Sequence, residues 1–135
     1  MTPYYNRPTQ EGLYQHYKKI AAATAVPIVL YNVPPRTGCD MQPETVERLA
    51  AIDGIVGIKE ACGDAQRVTA IKNRVAGDFF VLSGEDAQTL QMLELGAVGA
   101  ISVTANVLPS LMAEFCNSFL AGNSARATEV DGWLQ

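Results

Sequence analysis

The sequence has few of the residues that mark disulfide scaffolds, metal centres or membrane-spanning chains. It contains three cysteines (Cys39, Cys62 and Cys116) and one histidine, with no C-x-x-C pair, H-E-x-x-H motif or acidic cluster. This scarcity argues against a disulfide framework and a metal site, and it predicts a reduced, cytoplasmic protein. No apolar run approaches the roughly 18 residues of a membrane-spanning helix, and the N-terminus has no signal-peptide character.

Positive charge is also scarce. Ten Lys and Arg residues stand against 14 Asp and Glu residues, which gives a net charge of −4. Binding of nucleic acid or of an anionic membrane requires a basic surface, so we expect neither partner. The hydrophobic fraction of 48% is sufficient for a packed core. The length of 135 residues predicts a single domain over residues 1–135.

Four short apolar runs predict buried β-strands. Each is rich in β-branched or aromatic residues and is bounded by Gly, Pro or Asp. Stretches with apolar residues at helical spacing separate them, so the chain alternates between strand and helix. Strict alternation predicts an α/β fold with four parallel strands, either in an open sheet or in half of a (β/α)8 barrel. The four runs are Pro27–Val33, Ile55–Glu60, Phe79–Ser83 and Gly99–Thr104.

Three helix boundaries carry local signals. Pro43, followed by Glu44, is typical of the first position of a helix. Asp86 opens a segment that ends at Gly96, as expected for a helix with a glycine after its last turn. The last residues, 125–135, could form a further helix.

Lys59 is the residue that most directly indicates chemistry. In both architectures functional groups gather at the carboxyl ends of the strands, and Lys59 ends an otherwise apolar strand. Alternation places it on the same face as Gly57, while Glu60 lies on the other face. An unprotonated amine there is a nucleophile toward carbonyl groups. An ion pair with Glu60 or Asp64 would instead give Lys59 a structural role.

Two further side chains follow the first strand. Tyr31 ends that strand, and neighbouring strands lie about 4.8 Å apart, so its hydroxyl could exchange protons with the Lys59 amine. It could equally cap the core. Arg36 lies in a Pro-Pro-Arg-Thr-Gly turn, where its planar guanidinium suits a carboxylate ligand. Its alternative is an ordinary solvated arginine.

Five motifs stand in a distinctive order along the chain. They are Pro3–Asn6, Tyr31–Gly38, Gly57–Ala61, Leu82–Asp86 and Ile101–Asn106. Together they resemble the dihydrodipicolinate synthase family over residues 2 to about 127. Arg36-Thr37-Gly38 favours the synthase branch over other pyruvate-dependent class I aldolases, such as N-acetylneuraminate lyase. The resemblance implies a (β/α)8 TIM barrel, of which this chain supplies the last four strands as a half barrel.

The resemblance also implies an activity and a set of roles. The family condenses pyruvate with aspartate semialdehyde to 4-hydroxy-tetrahydrodipicolinate in lysine biosynthesis, without a metal or organic cofactor. By position, Lys59 would form a Schiff base with pyruvate, while Tyr31 and Tyr5 would relay protons. Arg36 would bind the carboxylate of the aldehyde substrate. The residues that would line the pyruvate pocket are Gly84 and Ile101.

A half barrel would be an incomplete structure. It would expose two strand edges and one apolar face, which predicts a homodimer or higher homo-oligomer. It would also lack the family's strand-end threonine pair, one of which bridges the two tyrosines of the relay. Two hypotheses therefore remain. The chain is either an active pyruvate-dependent synthase or lyase, or a catalytically weak or inactive half-barrel remnant that self-associates.

Overall fold

The computed structural model describes residues 1–135 and consists of a parallel sheet with packed helices. The strands lie side by side in the order β1-β2-β3, and both pairs are parallel. This confirms the predicted α/β class. None of the helices has both the length and the hydrophobicity that a membrane span requires. In chain order the elements are α1 (Gln10–Ala22), β1 (Ile28–Asn32), α2 (Pro34–Thr37), α3 (Pro43–Ala50), β2 (Ile55–Glu60), α4 (Arg67–Lys72), β3 (Phe80–Ser83), α5 (Thr89–Glu94), α6 (Pro109–Leu120) and α7 (Ser124–Leu134).

Local signals account for several helix boundaries. The Thr9 side chain accepts a hydrogen bond from the Gly12 N–H and so caps α1. Pro43 occupies the first turn of α3, as predicted. The predicted segment from Asp86 begins with a 3-10 turn over Asp86–Gln88 and continues as α5 before Gly96, which has a φ of 104°. The segment after residue 124 is helical in α7.

The register of the sheet produces two different faces. One row across β1, β2 and β3 is apolar and fully buried in the core. The next row on that face is polar and also buried. The members of these rows are Leu30, Ile58 and Val81, and then Asn32, Glu60 and Ser83. The alternate residues of the strands point to the opposite, less buried face. Val29 lies on that face and is 38% exposed.

The prediction of a fourth strand over Gly99–Thr104 is wrong. This segment makes a single parallel bridge, Ala100 with Ser83, and pairs with nothing on its outer edge. After Ile101 donates its N–H to the Ser83 carbonyl (2.8 Å), the chain turns away from the sheet. The turn forms because the Ser102 hydroxyl accepts the Ala105 N–H, which starts a 3-10 turn over Thr104–Asn106. The sheet therefore has three strands.

Candidate active site

Tyr31 and Lys59 form a pair on the less buried face of the sheet. They are direct neighbours in the register of β1 and β2, at the carboxyl ends of both strands. Lys59 Nζ lies 4.4 Å from the centroid of the Tyr31 ring. Lys59 forms no salt bridge, so the ion pair with Glu60 or Asp64 that the sequence allowed is absent. The amine is left with an aromatic neighbour and no carboxylate partner.

Gly84, directly after β3, lies against the Lys59 side chain. A Cβ at this position would lie 2.7 Å from Lys59 Cε and 2.9 Å from Ala61 Cβ. The Gly84 N–H donates to the Glu60 carbonyl at 2.8 Å, which holds the glycine in this place. Only a residue without a side chain permits so close an approach. Gly84 therefore allows the lysine stem to lie where it does.

A second glycine and an aromatic ring lie beneath the lysine. Gly57 is two residues before Lys59 on the same face of β2. The Phe80 ring covers it so closely that a Cβ on Gly57 would overlap the ring. The space below the Lys59 amine is therefore filled by an aromatic ring from the neighbouring strand.

Glu60 points to the opposite face and is 1% exposed. Its carboxylate accepts the Asn32 amide N–H, at 3.0 and 3.2 Å for its two oxygens. Its Oε1 also accepts the backbone N–H groups of Ala61 and Cys62, both at 2.9 Å. Burial raises the pKa of Glu60 to about 7, and the hydrogen bonds from Asn32 and Cys62 oppose that rise without cancelling it.

Asn32 extends this buried network to the loop after α2 and to α4. Its Nδ2 also donates to Asp40 Oδ1 at 2.9 Å, and its Oδ1 accepts the Met41 N–H at 2.9 Å. Arg67, on α4, bridges to the Asp40 carboxylate at 2.8 Å and donates to the Met41 carbonyl. The ends of β1 and β2 are thus tied to each other and to the helical layer.

Asp86 holds the loop that replaces the predicted fourth strand. Its Oδ2 accepts the N–H groups of Val103 and Thr104 and the Thr104 hydroxyl, at 2.8 to 3.0 Å. Partial burial of Asp86 acts against ionisation, but the hydrogen bonds from Ser102, Thr104 and Val103 outweigh it and lower the pKa of the carboxyl group. One carboxylate thereby joins two loops at the carboxyl edge of the sheet.

The other predicted site residues lie at the same edge but are not packed against the lysine–tyrosine pair. Arg36 is exposed on the short helix α2 and makes no side-chain hydrogen bond. The Thr2 N–H donates to the Tyr31 carbonyl at 3.2 Å, which fixes the start of the chain beside β1. The Tyr5 side chain nevertheless is 90% exposed, and Ile101 is 47% exposed. Their roles stay predictions.

The network around Glu60 has no direct signature in the sequence. Asn32 and Glu60 were visible only as parts of the two strand-end motifs. Their alternation placed Glu60 on the face of Ile58, which the structure shows to be the core face. A polar residue at a core position of an apolar strand was the available signal, because such a group must find partners when buried.

Taken together, the sheet and its edge define an α/β protein with an unpaired lysine beside a tyrosine at the carboxyl ends of parallel strands. Such an arrangement is suited to covalent chemistry on a carbonyl compound. The chain belongs to the dihydrodipicolinate synthetase family, whose sequence model matches residues 1–135.

Individual relatives agree with this assignment. A 4-hydroxy-tetrahydrodipicolinate synthase of Ectopseudomonas mendocina is 55% identical over 134 residues, which are 99% of this chain and 46% of that protein. A chloride-inhibited dihydrodipicolinate synthase of Acinetobacter baumannii, crystallised with pyruvate, superposes with a TM-score of 0.92 at 50% identity, covering 97% of this chain and 45% of that one. A monomeric dihydrodipicolinate synthase variant gives 0.95 at 46% identity, with 99% and 46% covered. The chain thus spans about half the length of these relatives.

Proposed function

We propose that the chain carries the Schiff-base half of a 4-hydroxy-tetrahydrodipicolinate synthase, which condenses pyruvate with aspartate semialdehyde. The observation that carries this proposal is the position of Lys59, whose amine lies over the Tyr31 ring without a carboxylate partner. The family membership and the pyruvate bound to the Acinetobacter baumannii relative support the same substrate. Amine catalysis of this kind needs no metal or organic cofactor.

The chemistry follows from an unprotonated Lys59 amine. Nζ adds to the C2 carbonyl carbon of pyruvate, the carbonyl oxygen leaves as water, and a protonated imine remains. Loss of a proton from the C3 methyl group gives an enamine. Its C3 attacks the aldehyde carbon of aspartate semialdehyde, and the new alkoxide takes up a proton. Attack of an amine or of water on the imine then frees Lys59. Tyr31 is the direct neighbour of Lys59 in the register of β1 and β2, so its hydroxyl is the group placed to carry these protons.

The experiment that tests the proposal has two stages. The chain is first incubated with pyruvate and borohydride, which reduces an imine to a stable amine, and its mass is measured. A coupled assay with aspartate semialdehyde then measures turnover. Imine capture with turnover supports the full synthase. Capture without turnover favours the half-barrel remnant, and no capture contradicts the proposal.

We assign the carboxylate of the aldehyde substrate to Arg36. The Arg36 side chain is free of protein partners, and α2 presents it stiffly between two prolines and Gly38, which has a φ of 62°. We expect Arg36→Ala to raise the concentration of aspartate semialdehyde that gives half-maximal turnover by about ten- to a hundredfold, since a charge-assisted pair is lost.

Two comparisons make the Arg36 measurement specific. Pyruvate capture by borohydride should be unchanged in Arg36→Ala, because imine formation does not use the second substrate. Arg36→Lys keeps the charge but loses the planar guanidinium. Its half-saturating concentration of aspartate semialdehyde should therefore lie between those of the unsubstituted chain and Arg36→Ala. Equal loss of pyruvate capture and of aldehyde binding would show that Arg36 acts elsewhere.

We further propose that the chain is half of a (β/α)8 barrel and that a second copy covers the less buried face of its sheet. Val29 and the half-buried Leu82 and Phe80 lie on that face, and relatives of the family have about twice this length. Native mass spectrometry at micromolar concentration should show a dimer or larger assembly. Val29→Glu should shift it to monomer, whereas Glu47→Gln, an exposed change on α3, should not. A monomer without any substitution would overturn this proposal.

A further inference from the structure

The buried pair of Asn32 and Glu60 lies one residue beyond the pair of Tyr31 and Lys59 on the same two strands. The register joins Tyr31 to Lys59 and Asn32 to Glu60. Because successive residues of a strand point to opposite faces, the first pair faces the less buried side and the second faces the core. The two pairs are consecutive on the same two strands. Hydrogen bonds that hold one pair in register therefore also hold the other.

Glu60 also bonds to the two residues that pack around the Lys59 side chain, Ala61 and Gly84. Its carboxylate binds the Ala61 N–H and its backbone carbonyl accepts the Gly84 N–H, at 2.9 and 2.8 Å. Gly84 in turn lies against the Ala61 methyl group and the Lys59 methylene chain. A displacement of the Glu60 carboxylate would therefore move the groups that confine the Lys59 side chain.

We propose that Asn32 and Glu60 are positioning residues, whose hydrogen bonds lock the ends of β1 and β2 so that Lys59 Nζ is held over the Tyr31 ring. The inference rests on the proposed Schiff-base function for its chemical consequence. Imine formation depends on the angle and distance at which the amine meets the carbonyl, and an error of about 1 Å in such a geometry costs on the order of a hundredfold.

The ionisation of Glu60 makes this role dependent on pH. The ionised carboxylate only accepts hydrogen bonds, as the Asn32 amide and the two backbone N–H groups require, whereas the protonated group places a donor among them. Since burial raises the pKa of Glu60 to about 7, the carboxylate that only accepts hydrogen bonds predominates above neutrality. The charged or titratable groups around it are Asp40, Arg67, the Cys62 thiol and, on the opposite face, Lys59.

Glu60→Gln in the full 135-residue chain tests the proposal. Glutamine keeps the shape but places an NH2 group where the carboxylate accepts. At saturating pyruvate, we expect the rate of imine formation, trapped with borohydride, to fall on the order of tenfold, with the half-saturating pyruvate concentration unchanged. Glu94→Gln, the same change at an exposed position of α5, should leave the rate unchanged.

The pH profile separates positioning from a general loss of structure. We compare the rate of imine formation of the unsubstituted chain with that of Glu60→Gln. The ratio of the two rates should rise with pH through a midpoint near 7. Below this pH Glu60 is protonated and resembles glutamine. A ratio that stays constant across this range would overturn the proposal.

A second readout does not depend on pyruvate. The Tyr31 ring should shift the NMR signals of the Lys59 Cε protons upfield, and Glu60→Gln should reduce that shift. Asn32→Ser removes the amide that bonds to the Glu60 carboxylate, and it is the variant to use if Glu60→Gln does not fold. If the unsubstituted chain forms no imine, the proposed function fails and this shift alone decides the positioning role. An unchanged shift and an unchanged imine rate in a folded variant would refute it.

Discussion

Lys59→Ala is expected to abolish the covalent capture of pyruvate. In the unsubstituted chain, borohydride should fix one pyruvate per chain, and peptide mapping should place it on Lys59. The alanine variant should gain no mass, because it lacks the amine that lies over the Tyr31 ring at the carboxyl ends of the strands. The effect is a complete loss, since the nucleophile itself is removed.

The control for this experiment is Lys72→Ala, which removes an exposed lysine from α4. It should capture pyruvate as the unsubstituted chain does, and both variants should have the same circular dichroism spectrum. Truncating Lys59 leaves no buried charge unpaired, so the fold should persist. Capture of pyruvate by the Lys59→Ala variant would show that another amine reacts.

Gly84→Ala is expected to slow imine formation strongly. The added methyl group would lie 2.7 Å from Lys59 Cε and 2.9 Å from the Ala61 methyl group, which is inside normal contact distance. Ala61 is buried and cannot rotate away, so the flexible lysine stem must move. We expect the rate of imine formation to fall on the order of a hundredfold, as a displacement of about 1 Å implies.

Gly132→Ala provides a matched comparison. It makes the same chemical change in α7, where a Cβ meets nothing within 4 Å, and it should slightly stabilise the helix without altering the rate. Gly84→Ala should also reduce the upfield shift of the Lys59 Cε protons. A normal rate with a normal shift would mean that the Gly84 backbone moves instead of the lysine.

The fold could be predicted from the sequence where an element depends on its own residues. The second strand was predicted with its observed bounds, Ile55–Glu60, because an apolar β-branched run ends there at a polar loop. The first helical position of α3 followed from Pro43. The fourth strand failed because strand formation requires a partner on the sheet, and the segment after Ala100 instead satisfies its N–H groups with Asp86.

The candidate site was predictable in the same measure. Lys59 and Tyr31 end adjacent strands, so parallel pairing alone brings them together, as it does in the structure. Arg67 and Asp40 are separated by 27 residues. They meet only because the fold packs the start of α4 against the loop before α3. No local pattern encodes such a contact. Side-chain roles for Tyr5 and Ile101 depend on surfaces that this chain does not bury.

The Phe80 ring over Gly57 has a consequence for the size of the molecules that can reach Lys59. Two residues along a strand span about 7 Å, so the ring lies on the less buried face about one side-chain layer beneath the amine. A compound that enters from the carboxyl edge can present only a few atoms below the carbon that Nζ attacks. Short keto acids meet this depth limit, and any longer group has to extend outward, toward the loops that carry Arg36 and Asp86.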